Sequence, residues 1–192
     1  VDAKTAPCIW WDNTSSTATK SSATKLSRFQ GKNRIARRLI GGEAHPETPE
    51  RSCTDLSAQD LCHKAASFVR KGDAKRARKL LETAVSEDPT CVQAWCNLGL
   101  LLQSWYKDMA GATSHYEQAL ALNPRHADTL CNYGFLHLST GAQSASRAED
   151  LFRRCLEVDT THTDALCNYG LLKYQVARDP AKAEDLFRKA LA

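Results

Sequence analysis

The chain has 192 residues, 42% of them hydrophobic, and a formal net charge of +4, which suits one globular domain or a short solenoid. No stretch approaches the roughly 18 consecutive apolar residues of a membrane-spanning helix, so no membrane span is expected. The charge is uneven, because residues 1–51 hold nine Lys and Arg against five Asp and Glu, whereas residues 52–192 hold seventeen of each.

The chain opens with a polar segment that contains a small apolar cluster, Ile9, Trp10 and Trp11. Two adjacent tryptophans on a polar tail are typical of an anchor that docks into a pocket of a partner. The alternative is that the tail packs against the chain's own repeats. The sequence starts with valine, so we expect processing or trimming, which is compatible with removal of a targeting peptide.

A basic segment follows, with seven Lys and Arg and no acidic residue between positions 20 and 38. The Ser/Thr-rich composition before it predicts an extended, largely irregular arm and linker over residues 1–51. Such arms are similar to organellar targeting segments and to the tails of ribosomal and other assembly subunits, which cover phosphate or acidic surfaces. The arginines expected to make such contacts are Arg28, Arg34, Arg37 and Arg38. The alternative is a solvated tail without a ligand.

One five-residue motif then occurs three times, as WCNLG at residues 95–99 and as LCNYG at 130–134 and 166–170. A period in the mid-thirties is typical of a solenoid of helical hairpins. The same small and aromatic residues follow each motif, and a weaker copy precedes the first. These residues are Ala77, Leu81 and Ala84; Ala112, Tyr116 and Ala119; Ala148, Phe152 and Cys155; and Ala183, Phe187 and Ala190.

The landmarks resemble those of the tetratricopeptide repeat (TPR) family over about residues 56–192. The resemblance implies an all-α fold, a right-handed α-solenoid of about four TPR hairpins. We expect the solenoid to occupy residues 52–192, with units at about residues 58–91, 92–126, 127–162 and 163–192.

Local signals refine these units. Ser57 is a predicted N-cap, and Gly72 with Asp73 is a predicted hairpin turn. Pro89 and Pro124 predict the ends of second helices, and Thr160 in the third unit predicts a looser turn because proline is missing there. Extra residues are expected near positions 105–108, 141–146 and 178–180, where they leave the packing faces intact.

Glycine recurs inside the first helix of three units, at Gly99, Gly134 and Gly170. Each costs about 1 kcal/mol relative to alanine in a helix interior, so a packing reason is required. We expect close approach of the second helix, with small residues such as Ala112 and Ala148 meeting the glycines.

Eight cysteines are present, and three of them, Cys96, Cys131 and Cys167, occupy equivalent places in successive units. Successive hairpins place them about 10 Å apart, beyond the reach of about 7 Å that a disulfide requires. We therefore expect free, apolar thiols in a reducing, intracellular compartment, with a mitochondrion or plastid as an option.

The resemblance further implies a concave groove lined by the first helix of each hairpin. A cysteine ladder beside Leu100, Phe135 and Leu171 would make this groove unusually apolar, which is typical of a partner-binding surface. The asparagines Asn97, Asn132 and Asn168 are expected to be structural and to bridge helices. The predicted groove residues are Gln93, Cys96, Leu100, Asp128, Cys131, Phe135, Asp164, Cys167, Leu171 and Tyr174.

Several kinds of site are not expected. Chaperone-binding TPR domains hold a C-terminal carboxylate with Lys, Asn and Arg, but only Asn97 is present here, and Asp128 would repel the carboxylate. No Cys/His pair has metal-ligand spacing, so neither a metal nor a cofactor is expected. The six histidines have no acid partner or nucleophile at a family spacing, which predicts neither an enzyme nor a small-molecule substrate.

The sequence therefore predicts a non-enzymatic scaffold that mediates protein–protein interaction as a subunit of a larger multi-protein assembly. Its groove would bind a peptide or helix of another subunit, and its arm would staple it to neighbours. One alternative is an RNA-associated subunit, ribosomal or RNA-processing, with the basic arm on phosphate. Another is an assembly factor that visits a complex transiently.

Overall fold

The computed structural model describes residues 57–191, which form eight α-helices that pair into four hairpins stacked as a right-handed α-solenoid. The predicted all-α fold is thus confirmed. The helices are α1 (Ala58–Arg70), α2 (Ala74–Glu87), α3 (Val92–Leu101), α4 (Met109–Leu122), α5 (Ala127–Thr140), α6 (Ala145–Val158), α7 (Thr163–Gln175) and α8 (Pro180–Leu191). Within residues 57–191, no helix has the length and hydropathy needed to cross a bilayer.

The first hairpin begins and turns at the predicted residues. The Ser57 hydroxyl accepts a hydrogen bond from the Asp60 amide, and the Asp60 carboxylate accepts one from the Ser57 amide, which completes a capping box. Helix α1 ends at Arg70, and Gly72 has a φ of 85°, a left-handed conformation that glycine adopts without a steric penalty. Asp73 then caps α2 by accepting from the Arg76 amide.

The glycines of the first helices make room for aromatic rings. A Cβ atom added at Gly134 would lie 2.7 Å from Cε1 of Phe152, well inside van der Waals contact. Gly99 faces Tyr116, and Gly170 faces Phe187, in the same way. The facing ring supplies the nearest atoms at all three glycines, and at Gly99 the Ala112 carbonyl oxygen also lies 3.2 Å from the added Cβ, in agreement with the predicted close approach of the second helix.

The turns between hairpins share one hydrogen-bond pattern. After α2, the Cys91 amide donates to the Asp88 carbonyl, and after α6, the His162 amide donates to the Asp159 carbonyl. Asp159 also accepts from the amide and hydroxyl of Thr161, just as Asp88 accepts from those of Thr90. The expectation of a looser turn at Thr160 is therefore wrong, because the aspartate and threonine hold this turn without the proline.

The extra residues lie where the sequence places them. In the second hairpin they form a π-helix, Leu102–Tyr106, which ends at Lys107 with a left-handed φ of 58°. In the third they form a short 3₁₀ helix, Ala142–Ser144. In the fourth, Arg178 adopts a left-handed φ of 56° before α8 begins. The helices themselves keep their packing faces.

The core runs along the array between the two helix layers. It is made of small residues around a few large side chains, and Leu81, Tyr116 and Phe152 are fully buried. The Tyr116 hydroxyl donates to Oε1 of Gln103 at 2.8 Å, which satisfies a buried polar group of the π-helix.

Candidate functional site

The first helices lie side by side and form the inner face of the solenoid. Helix α1 packs against α3, α3 against α5, and α5 against α7, while the second helix of each hairpin forms the outer layer. The predicted groove residues occupy the second, fifth, ninth and twelfth places of these helices, and their exposure differs from place to place.

The cysteine ladder is not part of the open surface. Cys96 and Cys131 are each 1% exposed, Leu100 is 2% exposed and Cys167 is also buried. The expectation that these residues form exposed groove surface is therefore wrong. Neighbouring first helices approach so closely that the fifth place becomes part of the contact between hairpins.

Two of these cysteines, Cys96 and Cys131, contact an asparagine of the next hairpin along the seam between neighbouring first helices. Nδ2 of Asn132 lies 3.6 Å from Sγ of Cys96, and Nδ2 of Asn168 lies 3.8 Å from Sγ of Cys131. The asparagines are buried as well. Their predicted role as residues that bridge helices is confirmed, and the sulfur atoms supply the acceptors that the buried amides need.

Burial also decides the chemistry of the thiols. It raises the pKa of Cys62 and of Cys96 to about 12, and the neighbouring Cys131 and burial raise the pKa of Cys155 further. The six described cysteines are free, as predicted, namely Cys62, Cys91, Cys96, Cys131, Cys155 and Cys167. The buried thiols with raised pKa stay protonated at neutral pH and pack as small apolar groups.

The open part of the inner face belongs to the third and fourth hairpins. Phe135 is 36% exposed and Tyr174 is 58% exposed, and Leu171 between them is half-buried. The carboxylate-bearing residues Asp128 and Asp164 are half-buried near the start of the same two helices. In the second hairpin, half-buried Gln93 donates from Nε2 to Oδ1 of Asn97 and so lies over the seam.

Asp128 has a second role, because it joins the third hairpin to the fourth. Its Oδ1 lies 3.3 Å from Nε2 of His162, and Nδ1 of His162 accepts the Ala165 amide as the N-cap of α7. Burial disfavours the charged imidazole, but the hydrogen bond and charge of Asp128 outweigh it and raise the pKa of His162 to about 9. The cap opposes this protonation, since only an unprotonated Nδ1 can accept.

His126 caps α5 in the same manner. Its Nδ1 accepts the Thr129 amide and lies 2.8 Å from the Thr129 hydroxyl. Burial lowers the pKa of His126, although the charge of Asp128 acts in the opposite direction. Sequence reasoning missed both histidine caps, because histidine is not among the common N-cap residues; the signal was its recurrence one residue before the first helices of the third and fourth hairpins.

The arm residues Ile9, Trp10, Trp11, Arg28, Arg34, Arg37 and Arg38 lie outside the described residues, so their roles stay predictions. Among residues 57–191, no three His, Cys, Asp or Glu side chains converge as a metal site would require. The inner face offers aromatic and aliphatic surface beside carboxylates, which suits contact with a polypeptide.

Several solved structures share this architecture, although no protein-family model matches the sequence. MamA is 16% identical, with a TM-score of 0.58 over 93% of this chain and 95% of that chain. PilF of Pseudomonas aeruginosa is 21% identical, with a TM-score of 0.61 over 84% of this chain and 62% of that chain. A thermophilic TPR protein of Thermus thermophilus is 17% identical, with a TM-score of 0.64 over 89% of this chain and 86% of that chain.

The repeated hairpins and these likenesses define an α-solenoid of the tetratricopeptide repeat fold. The chain thus has the TPR fold, with four hairpins in residues 57–191.

Proposed function

We propose that this protein is a non-enzymatic scaffold of a larger multi-protein assembly, and that the inner face of its third and fourth hairpins holds a partner peptide or helix. The observation that supports this most directly is the exposure of Phe135 and Tyr174 on the inner face. Large aromatic side chains at a concave surface are typical anchors for a partner, because they bury much area at little cost in conformational entropy.

The chemistry of the same surface suggests the character of the partner segment. Phe135, Leu171 and Tyr174 lie along the helices, and Asp128 and Asp164 lie near their N-terminal ends. An amphipathic helix with apolar residues on one side and a Lys or Arg at one end would satisfy both features. The carboxylates would then fix the orientation of the segment, since charged groups at an interface mainly set specificity.

The N-terminal arm has a supporting role in this proposal. Its tryptophan pair, with Ile9, would anchor on a neighbouring subunit, and the arginines between positions 28 and 38 would follow an acidic surface or phosphate. The six free cysteines of the described part support a reducing compartment as its location.

The test is affinity capture of the full chain from its source cells, followed by mass spectrometry, with wild type and two double variants. Phe135→Ala/Tyr174→Ala removes the exposed aromatic surface of the inner face. Leu122→Ala/Val158→Ala is the matched control, because it removes exposed apolar side chains from the ends of second helices. We expect a fixed set of proteins that the first variant loses about tenfold or more and the control retains, a loss of at least about 1.4 kcal/mol.

Cross-linking of the intact protein through Lys107 and Lys173 would identify which neighbour lies at the repeats, and Lys25 and Lys32 would report on the arm. If both double variants capture the same proteins as wild type in the same amounts, the inner face is not the binding surface. In that case the proposal for the groove is wrong, although the fold is unaffected.

A further inference from the structure

A concentrated basic surface lies on the first hairpin, around the turn between α1 and α2. Six of the ten residues between positions 70 and 79 are Lys or Arg, and only Asp73 is acidic. All six basic side chains belong to exposed residues. We call this set the first-hairpin basic surface; its members are Arg70, Lys71, Lys75, Arg76, Arg78 and Lys79.

The π-helix of the second hairpin brings aromatic side chains to this surface. Trp105 and Tyr106 line an open cleft of about 450 Å³ whose other wall contains Lys71, Gly72, Asp73 and Lys75. Within residues 57–191, the π-helix occurs in the second hairpin alone. Such single turns are frequent at functional sites, because the extra residue redirects the side chains that follow it.

Three cationic side chains of this surface contact aromatic rings. The Arg78 guanidinium lies 5.2 Å from the centre of the Tyr106 ring, and Arg76 lies 5.7 Å from the centre of the Phe68 ring. Lys71 lies 5.9 Å from the same Phe68 ring. These cation–π contacts hold aromatic rings beside guanidinium and ammonium groups on one exposed face.

Within residues 57–191, ion pairs involve two of these six basic side chains. Arg76 pairs with Asp73 at 3.3 Å, and Arg78 pairs with Glu82 at 2.6 Å. The remaining four basic side chains form no ion pair with any other residue in the range 57–191. They are Arg70, Lys71, Lys75 and Lys79. An external anion is therefore the natural partner for these four side chains.

We propose that the first-hairpin basic surface, with Trp105 and Tyr106, binds single-stranded nucleic acid. Each nucleotide supplies one planar base and one phosphate, so a short strand meets the rings and the cations of this surface together. Lys71 and Lys75 contact phosphates, and a base stacks at Tyr106 in the cleft. An acidic peptide would satisfy the cations but offers no regular series of planar groups to the aromatic side chains.

The site is separate from the inner face that the proposed function uses. It lies on the first hairpin and the π-helix, whereas Phe135 and Tyr174 belong to α5 and α7. It also differs from the arm, whose basic residues lie between positions 20 and 38. Variants can therefore test the surface, the groove and the arm one at a time.

The test measures binding of the full chain to a fluorescein-labelled oligouridylate of about 12 nucleotides by anisotropy, over a series of salt concentrations. Lys71→Ala/Lys75→Ala should weaken binding at about 0.1 M salt by roughly tenfold or more and reduce the salt slope by about 1.4, or about 0.7 per lost phosphate contact. The control Lys182→Ala/Lys189→Ala removes the same charge from exposed residues of α8 and should leave both quantities unchanged.

Stacking is tested at Tyr106, which is 37% exposed. Tyr106→Ala should weaken binding about tenfold, within the range for loss of one stacked base, whereas Tyr106→Phe should bind as wild type does. Circular dichroism melting of each variant shows that the fold is intact. Phe135→Ala/Tyr174→Ala should bind the oligonucleotide normally, which separates this result from the outcome for the groove.

Three results would overturn the proposal. The first is no measurable binding by wild type at low salt. The second is loss of binding in Arg34→Ala/Arg37→Ala/Arg38→Ala with no change in Lys71→Ala/Lys75→Ala, which would assign the nucleic acid to the arm. The third is competition by polyglutamate as strong as that by unlabelled oligouridylate, with no effect of Tyr106→Ala, which would make this a surface for acidic proteins.

Discussion

At the scale of single residues, the contact between each glycine and the ring facing it fixes the spacing within a hairpin. The added Cβ at Gly99, Gly134 and Gly170 would lie 2.8, 2.7 and 2.6 Å from the facing ring. Tyr116 and Phe152 are fully buried, so these two rings have no free space to move into. The missing side chain of the glycine lets the two helices approach, and the aromatic ring fills the space between them.

Gly134→Ala should therefore destabilise the protein although alanine favours helix. Alanine gains about 1 kcal/mol of helix propensity, but overpacking against Phe152 costs about 1 to 3 kcal/mol. We expect a net loss of about 1 kcal/mol in urea unfolding. In a Phe152→Leu background, where the ring is absent, the same substitution should be neutral or stabilising. Equal effects in the two backgrounds would show that the ring contact does not cause the loss.

The cysteines show what a repeat pattern can and cannot predict about residues. Their equivalent positions predicted correctly that they are free thiols, and the bridging role of Asn132 and Asn168 was predicted as well. Exposure of Cys96 and Leu100 was not predicted correctly, because the fifth and ninth places border both the groove and the neighbouring hairpin. The distance between neighbouring first helices decides whether these residues face the groove or the next hairpin. That distance cannot be read from the spacing of residues in the sequence.

At the scale of elements, the helix starts divide into two kinds. Ser57 builds a capping box of the common type, which the sequence predicts directly. Helices α5 and α7 start at His126 and His162, whose ring nitrogens accept from the helix amides. A histidine cap works only while Nδ1 is unprotonated, so acid weakens the start of α5, whereas at α7 the attraction of protonated His162 to Asp128 outweighs the cap that it gives up.

Stability should fall as the pH drops below about 6.5, the ordinary range of histidine. Burial lowers the pKa of His126, and it also lowers the pKa of His115 and of His137. A lowered pKa means that the unfolded chain binds the proton before the folded chain does, so acid favours unfolding. We expect a lower urea midpoint at pH 5.5 than at pH 7.5.

The control for this effect is His126→Asn, which keeps a good N-cap but removes the titrating ring. It should reduce the difference between the two midpoints. His162 works in the opposite direction, since its raised pKa gives stability that is lost as the pH rises from about 6.5 through about 9. An equal difference between the two midpoints in wild type and in His126→Asn would contradict the role of His126.

The irregular segments were located by counting, but their form was not predicted. An extra residue near position 105 can enter a longer turn or widen the helix itself, and the chain does the second through Leu102–Tyr106. The buried hydrogen bond between Gln103 and Tyr116 explains this choice, because the wider turn lets the Gln103 side chain face the core. The result places Trp105 and Tyr106 beside the first hairpin.

At the scale of the whole molecule, the net charge does not show how the charged residues are distributed over the surface. Residues 52–192 are neutral in total, so the charge count by itself favours the arm as the place for nucleic acid. The structure shows a basic first hairpin at one end, and carboxylates on the inner face of the third and fourth hairpins. The fold class was predictable because the period repeats, whereas the surfaces depend on which side chains each turn brings together.

The stability of a solenoid comes from contacts within each hairpin and between adjacent hairpins, and the helices of residues 57–191 pack in this way. Gly170→Ala strains the fourth hairpin against Phe187, and Gly134→Ala strains the third against Phe152. We expect hydrogen exchange in Gly170→Ala to speed up roughly fivefold or more in α7 and α8 and to stay unchanged in α1 and α2, as a loss of about 1 kcal/mol confined to one end requires. In Gly134→Ala the faster exchange should extend over the third and fourth hairpins. An equal increase in all eight helices in either variant would mean that the array unfolds as one cooperative unit.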